Sequence, residues 1–104
     1  MIVVLSTYPD KEKAEEAAKL AVMKDLAACV NIVKIENSIY KWKDKIENHP
    51  EFLLIMKTTD GNYEKLEKFI KENHPYDVCE LVKLDVKGGN KDYVQWVDST
   101  VSKD

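Results

Sequence analysis

His74 and Tyr76 are the side chains of this sequence whose types and setting most favour chemistry. They lie in the segment His74-Pro75-Tyr76-Asp77-Val78, where an amphipathic helix gives way to a strand. Pro75 disfavours helical geometry at the residue before it, so the helix must end at His74 and hold the imidazole at a fixed turn. Such an imidazole suits a metal ion or a proton, although a histidine at a helix end is also favoured simply by the helix dipole.

The two cysteines, Cys29 and Cys79, are the other candidate ligands. Their spacing is not that of a zinc ribbon or of a CxxC redox motif, and nothing indicates secretion, so we expect reduced thiols. Cys29 lies between two apolar residues, where core packing is favoured over metal ligation. His49 precedes Pro50 in a polar stretch and is interpreted as a solvated loop residue.

Composition limits the partners that the chain can have. The 104 residues suit one domain, predicted as 1–104, and the 44% apolar content allows a modest core. Lysines and acidic residues are interspersed, the net charge is −3, and arginine is absent. A nucleic-acid partner is therefore not expected, since bidentate capture of phosphates and guanine edges is mainly an arginine task. The apolar segment 1–5 is too short to span a bilayer and lacks a basic flank, so we expect a cytoplasmic protein with no membrane partner.

Hydrophobic periodicity predicts the order strand, helix, strand, strand, helix, strand, followed by a short C-terminal helix. The predicted elements are a strand at 2–7, a helix at 10–27 capped by Asp10, an overlong strand at 29–39, a polar hairpin arm or loop at 40–50, a strand ending near Thr59, a helix ending at His74, and a final strand from Val78 in which Val82, Leu84 and Val86 share one face.

This order is that of a ferredoxin-like α+β sandwich. Right-handed crossovers place the first two strands parallel, with the third between them and the fourth outside the first. His74, Tyr76 and Cys79 then lie near the end of the first strand. Cys29 begins the second strand and falls at the opposite end of the sheet, so Cys29 and His74 cannot easily share one site within a subunit.

Six segments carry a resemblance to a known family: Thr7-Tyr8-Pro9-Asp10, Leu26-Ala27-Ala28-Cys29-Val30-Asn31, Ser38-Ile39-Tyr40-Lys41-Trp42, Ile55-Met56-Lys57-Thr58, His74-Pro75-Tyr76-Asp77-Val78 and Tyr93-Val94-Gln95-Trp96. In this order and spacing they resemble the CutA divalent-cation tolerance family over nearly the whole chain. The resemblance implies a cytoplasmic homotrimer of ferredoxin-like subunits, associated with tolerance of copper and other heavy-metal ions. It implies no enzymatic reaction.

The resemblance and the residues together predict a metal site at His74, Cys29 and Cys79. Members of the family usually carry proline where Cys79 stands, and some carry cysteine at the position of Ser6. Serine is a poor ligand for Cu(I), so a copper site using Ser6 and His74 would be weakened, while Cys79 offers a sulfur nearby. Copper or another divalent heavy-metal ion is therefore the expected cofactor.

The overlong second strand also predicts self-association. One sheet cannot pair all of it, and the outer edge of a neighbour's sheet would satisfy the surplus backbone groups, so that three such contacts close a ring. The resulting cleft is predicted to bring Tyr40, Lys41 and Trp42 of one subunit toward residues of the next and to bind a small ligand or ion. The predicted residues on the second subunit are Ser6, Thr7, His74 and Tyr76.

Three functions are compatible with this sequence. The first is a trimeric metal-responsive protein, the second a signalling trimer resembling the PII regulators with a small effector in the cleft, and the third a structural or anchoring trimer without a metal role. An enzyme is not expected, because the topology assembles no Ser-His-Asp or Cys-His set.

Overall fold

The computed structural model describes residues 1–101 of the chain, and residues 102–104, which the predicted domain 1–104 includes, lie outside the described part. The predicted order of elements is confirmed. The elements are β1 (Ile2–Tyr8), α1 (Lys11–Met23), β2 (Cys29–Trp42), β3 (Lys45–Thr58), α2 (Asp60–Asn73), β4 (Val82–Asp85) and α3 (Lys91–Thr100).

The four strands form one sheet in the order β2-β3-β1-β4, with every neighbouring pair antiparallel. The strands β1 and β2 are therefore parallel with β3 between them, as the ferredoxin-like prediction requires. In the central pair, Ile2 lies opposite Thr58 and Tyr8 lies opposite Phe52, so β1 ends level with the start of the apolar half of β3.

One face of the sheet carries the core. Alternate residues of the central strands, such as Val4 and Met56, are completely buried there beneath α1 and α2. The helix α1 contributes four buried alanines, whose small side chains allow its backbone to lie close to the sheet. The side chain of Asp10 caps this helix by accepting a hydrogen bond from the Lys13 amide at 2.8 Å.

The opposite face of the sheet, which we call the open face, is also apolar. Val82 and Leu84 of β4 lie on it opposite Leu5 and Val3, so the prediction that these two β4 residues share a face is confirmed. Within one chain, Val82 is 43% exposed and Leu84 46% exposed. An apolar face of this kind differs from the polar face expected of a sheet that meets water.

The strands β2 and β3 continue beyond the end of β1 as a two-stranded arm, residues 36–50, so the polar stretch is a hairpin arm and not a loop. Lys43 and Asp44 form its two-residue turn, with φ of 50° and 65° at the two positions. The register shifts between Ile35 and Ser38, where two residues of β2 face Pro50 alone. A bulge is a place where a strand tolerates proline.

Several predicted boundaries are wrong. The strand β2 ends at Trp42 and not at Ile39, and β4 ends at Asp85, before Val86. The helix α1 ends at Met23 and not at Ala27, because Asp25 adopts a left-handed conformation with φ of 58°. The strand β4 begins at Val82 and not at Val78, whose side chain is 78% exposed. Residues 74–81 instead form an irregular segment that passes the end of β1 before the chain joins the sheet.

The C-terminal helix α3 closes one end of the domain. Val97 and Val101 are buried against Ala28, and Met1 packs against the same cluster. None of the helices between residues 1 and 101 is both long enough and apolar enough to cross a membrane.

Candidate functional site

His74 lies at the corner that the sequence indicates. It follows the last residue of α2 with extended dihedral angles, φ of −80° and ψ of 139°, as expected for a residue before proline. Its ring lies between two tyrosine rings, 4.2 Å from the ring centre of Tyr8 and 5.2 Å from that of Tyr76. The end of α2 is thereby joined to the end of β1.

Both ring nitrogens of His74 are hydrogen-bonded to the backbone. The Nε2 atom lies 2.8 Å from the carbonyl oxygen of Thr7, and the Nδ1 atom lies 3.0 Å from the amide nitrogen of Tyr76. A carbonyl can only accept and an amide N–H can only donate, so Nε2 carries the proton and Nδ1 accepts. The imidazole is therefore neutral, with no lone pair free for a metal.

The electrostatics of the corner agree with a neutral ring. Burial lowers the pKa of His74 below its ordinary value, and the Thr7 carbonyl and the Glu51 carboxylate oppose this shift without reversing it. Protonation at Nδ1 would direct a second N–H toward the Tyr76 amide and break that hydrogen bond. We therefore assign His74 a structural role, as a clamp between α2, β1 and the irregular segment.

The two thiols lie apart from each other. Cys29 pairs with Lys57 at the end of the sheet where β1 begins, and β1 ends beside His74. Burial raises the pKa of the Tyr93 hydroxyl, and its hydrogen bond with Cys29 adds to that shift. Cys79 packs against the core and lies near Tyr8, whose pKa is raised to about 12, mainly by burial and secondarily by Cys79.

The structure therefore does not bring together the predicted metal set of His74, Cys29 and Cys79. The distance along β1 separates Cys29 from the other two, and His74 has no free lone pair. Among residues 1–101, no group of three or more histidine, cysteine, aspartate or glutamate side chains is arranged to hold a metal ion. The residues present do not fit a conventional copper centre of imidazole and thiolates within one chain.

A cavity of about 760 Å³ opens between the base of the arm and the irregular segment. We call it the arm cavity. Its lining comprises Thr7, Tyr40, Trp42, Glu47, Glu51, Pro75, Tyr76, Asp77, Val78 and Glu80. Three aromatic rings and four carboxyl groups thus surround one space, and no lysine among residues 1–101 belongs to the lining.

Glu51 is the most buried acid of the arm cavity, with 9% of its surface exposed. Its Oε2 atom accepts a hydrogen bond from the Tyr76 hydroxyl at 3.0 Å. Burial, followed by that bond to Glu51, raises the pKa of Tyr76 to about 12. Burial also raises the pKa of Glu80, with a further contribution from the charge of Glu51. The hydrogen bond from Tyr76 therefore compensates only part of the negative charge in the cavity.

The predicted cleft residues divide into two groups. Four of them line the arm cavity within one chain: Thr7, Tyr40, Trp42 and Tyr76. A second subunit is therefore not needed to bring them together. Lys41 lies outside the lining, because alternation along β2 directs it to the other side of the arm from Tyr40 and Trp42.

Ser6 is completely buried on the helix-covered face. Its hydroxyl has no hydrogen-bond partner in the described chain, and neither has the hydroxyl of Tyr8, which is buried on the same face. Ser6 therefore lies in the core and not in a cleft.

Sequence reasoning missed Glu51 and Glu80. The one signal for Glu51 was its position directly before the apolar run of β3, where a charge at a buried strand position is unusual. Glu80 gave no signal, because the prediction extended β4 back to Val78 and treated this segment as strand.

These features define an α+β protein of ferredoxin-like topology with a histidine clamp and an acidic, aromatic cavity beneath a hairpin arm. The chain belongs to the CutA1 divalent ion tolerance protein family, whose sequence pattern matches residues 2–100. It is 44% identical over 95 residues to the divalent-cation tolerance protein CutA of Thermus thermophilus, covering 91% of this chain and 92% of that protein. The CutA of Pyrococcus horikoshii is 39% identical over 103 residues, covering 99% and 100%.

Solved structures agree with this assignment. The structure of the Thermus thermophilus protein superimposes with a TM-score of 0.94 at 42% identity, covering 98% of this chain and all of that one. Several relatives are longer: this chain spans 56% of the chloroplastic CutA 1 of Oryza sativa and 51% of the human CutA.

Proposed function

We propose that this protein works as a homotrimer in the tolerance of divalent cations. The cation role is supported by family membership and by the names of the Thermus and Pyrococcus relatives, which are divalent-cation tolerance proteins. Self-association is supported by the open face of the sheet, and that face is the observation on which the proposal chiefly depends.

The open face has the composition of an interior. Leu5, Leu53 and Ile55 lie at its centre and are only half-buried in the single chain, while Val33 and Leu84 are 45% and 46% exposed. A solvated face of an antiparallel sheet alternates with polar residues, whereas strands that are apolar on both faces are covered on both. We assign the covering of the open face to further copies of the same sheet, related by rotational symmetry.

The arm supplies a second reason for self-association. Ile39 and Ile46 on the arm are each 68% exposed, and the part of β3 that lies beyond β1 has no second neighbour among the described strands. Free strand edges with apolar side chains favour pairing with another chain. In a closed ring of three subunits, each arm would meet the outer edge of β4 in the next subunit.

A matched pair of substitutions tests this assembly. Leu84→Glu places a charge on the open face, and Val22→Glu places one at a comparably exposed apolar residue on α1. Light scattering should give a mass of three times 12.0 kDa for the natural protein and for Val22→Glu, and a lower mass for Leu84→Glu. A trimer that survives Leu84→Glu would exclude the open face as the interface.

Copper or a related heavy-metal ion is the cation that we propose, bound weakly and without Cys29. The support is the corner where His74 and Cys79 both lie against Tyr8. An imidazole and a thiolate suit copper, but His74 would first have to release the Thr7 carbonyl or the Tyr76 amide. The backbone group that is left without a partner lowers the affinity, by about 1–3 kcal/mol of binding free energy.

Calorimetric titration of the reduced protein with Cu(I), Cu(II) and Zn(II) tests the copper proposal. Cys79→Ser should weaken copper binding, and Cys29→Ser should leave it unchanged. Equal affinities in the two variants would remove the corner from consideration. The oligomer mass is recorded for each variant, so that a loss of binding is not confused with a loss of assembly.

A signalling trimer with a small effector is the second candidate, and the arm cavity is the observation that favours it. A concave site of about 760 Å³ with aromatic walls and a few polar groups is typical of a small-molecule site. In this second candidate, metal tolerance would follow indirectly from effector binding.

We further propose that the protein acts in the cytoplasm and is not an enzyme. The free thiols Cys29 and Cys79 suit a reducing compartment, and the family is named for cation tolerance and not for a reaction. The names of other relatives include "chloroplastic" and "Periplasmic". Fractionation of the source cells tests the location, and recovery outside the cytoplasm would contradict it.

A further inference from the structure

The core beneath the helices contains two hydroxyl groups without a hydrogen-bond partner. Ser6 is completely buried and Tyr8 is 1% exposed, and neither hydroxyl is bonded to another atom of residues 1–101. The two residues are two positions apart on β1, so their side chains lie on the same, helix-covered face. Buried polar side chains nearly always have a partner, so these two hydroxyls require an explanation.

Cys79 is the polar neighbour of the Tyr8 hydroxyl. The antiparallel register of β1 and β4 sets Leu5 opposite Val82, and the same register continued into the irregular segment brings Cys79 level with Tyr8. Cys79 packs against the core cluster that contains Tyr8. Burial raises the pKa of Tyr8 to about 12, and the nearby Cys79 adds to that shift. Because both side chains lie on the helix-covered face, contacts between the open faces of subunits leave them uncovered.

A thiol does little for the Tyr8 hydroxyl, because sulfur is a weak hydrogen-bond acceptor. Oxidation of the Cys79 thiol to a sulfenic acid adds an oxygen atom, which is a much better acceptor. In this step the sulfur attacks one oxygen of hydrogen peroxide, and a sulfur–oxygen bond forms as the oxygen–oxygen bond breaks. The second oxygen leaves as water with the thiol proton, so the sulfur loses two electrons and the peroxide gains them.

Cys29 is a matched comparison within the same chain. Both cysteines are partly buried, and both thiols are free. The tyrosine that bonds to Cys29 is Tyr93, which is 39% exposed, so water also reaches it. An oxygen atom added to Cys29 would therefore satisfy no buried group, whereas one added to Cys79 would give the Tyr8 hydroxyl an acceptor.

The other thiol of the chain is too distant to consume the sulfenic acid. A sulfenic acid commonly condenses with a thiol to a disulfide, for which the two Cα atoms must lie within about 7 Å. Cys29 lies level with Val3, because both pair with Lys57, and Cys79 lies level with Tyr8. The two cysteines are thus about 16 Å apart along the sheet. Within one chain, the sulfenic acid persists until an external thiol reduces it.

We propose that Cys79 is a site of reversible oxidation by hydrogen peroxide, and that its sulfenic acid accepts a hydrogen bond from the buried hydroxyl of Tyr8. This goes beyond the proposed function, because it depends on no metal ion and on no second subunit. It also gives the Tyr8 hydroxyl a purpose, since the group is without a partner only while the thiol is reduced.

Trapping with dimedone, which reacts with sulfenic acids and not with thiols, tests the site. The reduced full-length protein is treated with hydrogen peroxide and dimedone, and the adduct is located by mass spectrometry of its peptides. The peptide of Cys79 should carry about fivefold more adduct than that of Cys29. Cys79→Ser should abolish this adduct, and Cys29→Ser should leave it unchanged. Equal adducts at the two cysteines, or none at Cys79, would overturn the proposal.

A second pair of variants tests the role of Tyr8. Peroxide is removed with catalase, and dimedone is added after increasing delays to measure the lifetime of the sulfenic acid. Tyr8→Phe should shorten this lifetime about fivefold. Tyr63→Phe is the control, because it removes the hydroxyl of another tyrosine, which lies 3.3 Å from Glu67, and it should have no effect. Equal lifetimes in the natural protein and Tyr8→Phe would show that Tyr8 is not the partner.

Urea unfolding of the reduced proteins completes the test. A hydroxyl without a partner contributes no hydrogen bond, so reduced Tyr8→Phe should unfold at the same urea concentration as the natural protein, or at a higher one. This result would also show that Tyr8→Phe folds, so that its sulfenic acid lifetime can be compared. A lower midpoint would mean that another group already satisfies the Tyr8 hydroxyl, and the proposal would fail.

Discussion

Replacing His74 by alanine should destabilise the protein substantially, and this distinguishes a structural clamp from a metal ligand. The imidazole satisfies the Thr7 carbonyl at 2.8 Å and the Tyr76 amide at 3.0 Å, and its ring contacts the rings of Tyr8 and Tyr76. If His74 were only a metal ligand at a helix end, as the sequence indicates, His74→Ala would leave the fold intact and reduce metal affinity. The structure changes that prediction, because alanine leaves two backbone groups without partners.

The magnitude follows from these contacts. A buried polar group left without a partner costs about 1–3 kcal/mol, and an aromatic contact contributes about 0.5–1.5 kcal/mol. His74 is only half-buried, so water restores part of the lost hydrogen bonding. We expect His74→Ala to lower the free energy of unfolding by about 3 kcal/mol.

Two further variants separate the two hydrogen bonds. His74→Asn keeps an acceptor near the position of Nδ1, and His74→Gln keeps a donor near the position of Nε2, so each should lose about 1–2 kcal/mol. His49→Ala is the control, because His49 is exposed, pairs with Glu47 at 3.1 Å and has its ring centre 6.1 Å from that of Tyr40; it should lose less than about 0.5 kcal/mol.

Urea unfolding at pH 7.5, followed by tryptophan fluorescence, measures these differences. The concentration of protein is held constant, because the stability of an oligomer depends on it. If His74→Ala unfolds at the same urea concentration as His49→Ala, the clamp does not exist and the reasoning from the hydrogen bonds is refuted.

Three other predictions concern the same regions. Burial lowers the pKa of His74 below 6.5, so its contribution to stability is complete above pH 6.5 and is lost as the pH falls through the folded-state pKa. The difference in unfolding free energy between the natural protein and His74→Asn should therefore shrink between pH 7.5 and 5.5. A constant difference would contradict this. Asp44→Gly should stabilise the protein toward urea by about 0.5–1 kcal/mol, because glycine adopts the φ of 65° at the arm turn without strain. A loss of stability would show that the Asp44 side chain has a role of its own. Tyr76→Phe removes the donor to the buried Glu51 and should cost about 1–3 kcal/mol in the same assay, so an unchanged midpoint would mean that Glu51 is already satisfied by another group.

The order and pairing of the elements were predictable from the sequence, because local patterns determine them. Three local patterns each indicate one structure: the short apolar run of β1, the proline after His74 and the unusual length of β2. The boundaries that failed depend on less local causes. Asp25 ends α1 in a left-handed conformation, which the sequence does not indicate because the position is not a glycine. Val78 continues the apolar pattern of β4, although the chain there lies outside the sheet.

The site was predictable in its position but not in its chemistry. The corner at His74 was found, yet the role of the imidazole depends on the Thr7 carbonyl, 67 residues away in the chain, whose position no pattern supplies. Tyr40 and Trp42 were expected to approach Tyr76 of a neighbouring subunit. They line one cavity with Tyr76 of the same chain, because the arm and the irregular segment both pass the end of β1. Glu51 was missed because its burial follows from that same arrangement.

Growth of copper-sensitive cells that lack their own copy of a protein of this family tests directly whether the trimer acts in cation tolerance. Cells producing the natural protein or Val22→Glu should grow at copper concentrations that stop the parent cells, and cells producing equal amounts of Leu84→Glu should not. If all three proteins restore growth equally, the trimer is not required for tolerance. If the natural protein restores none, a role in divalent-cation tolerance is contradicted.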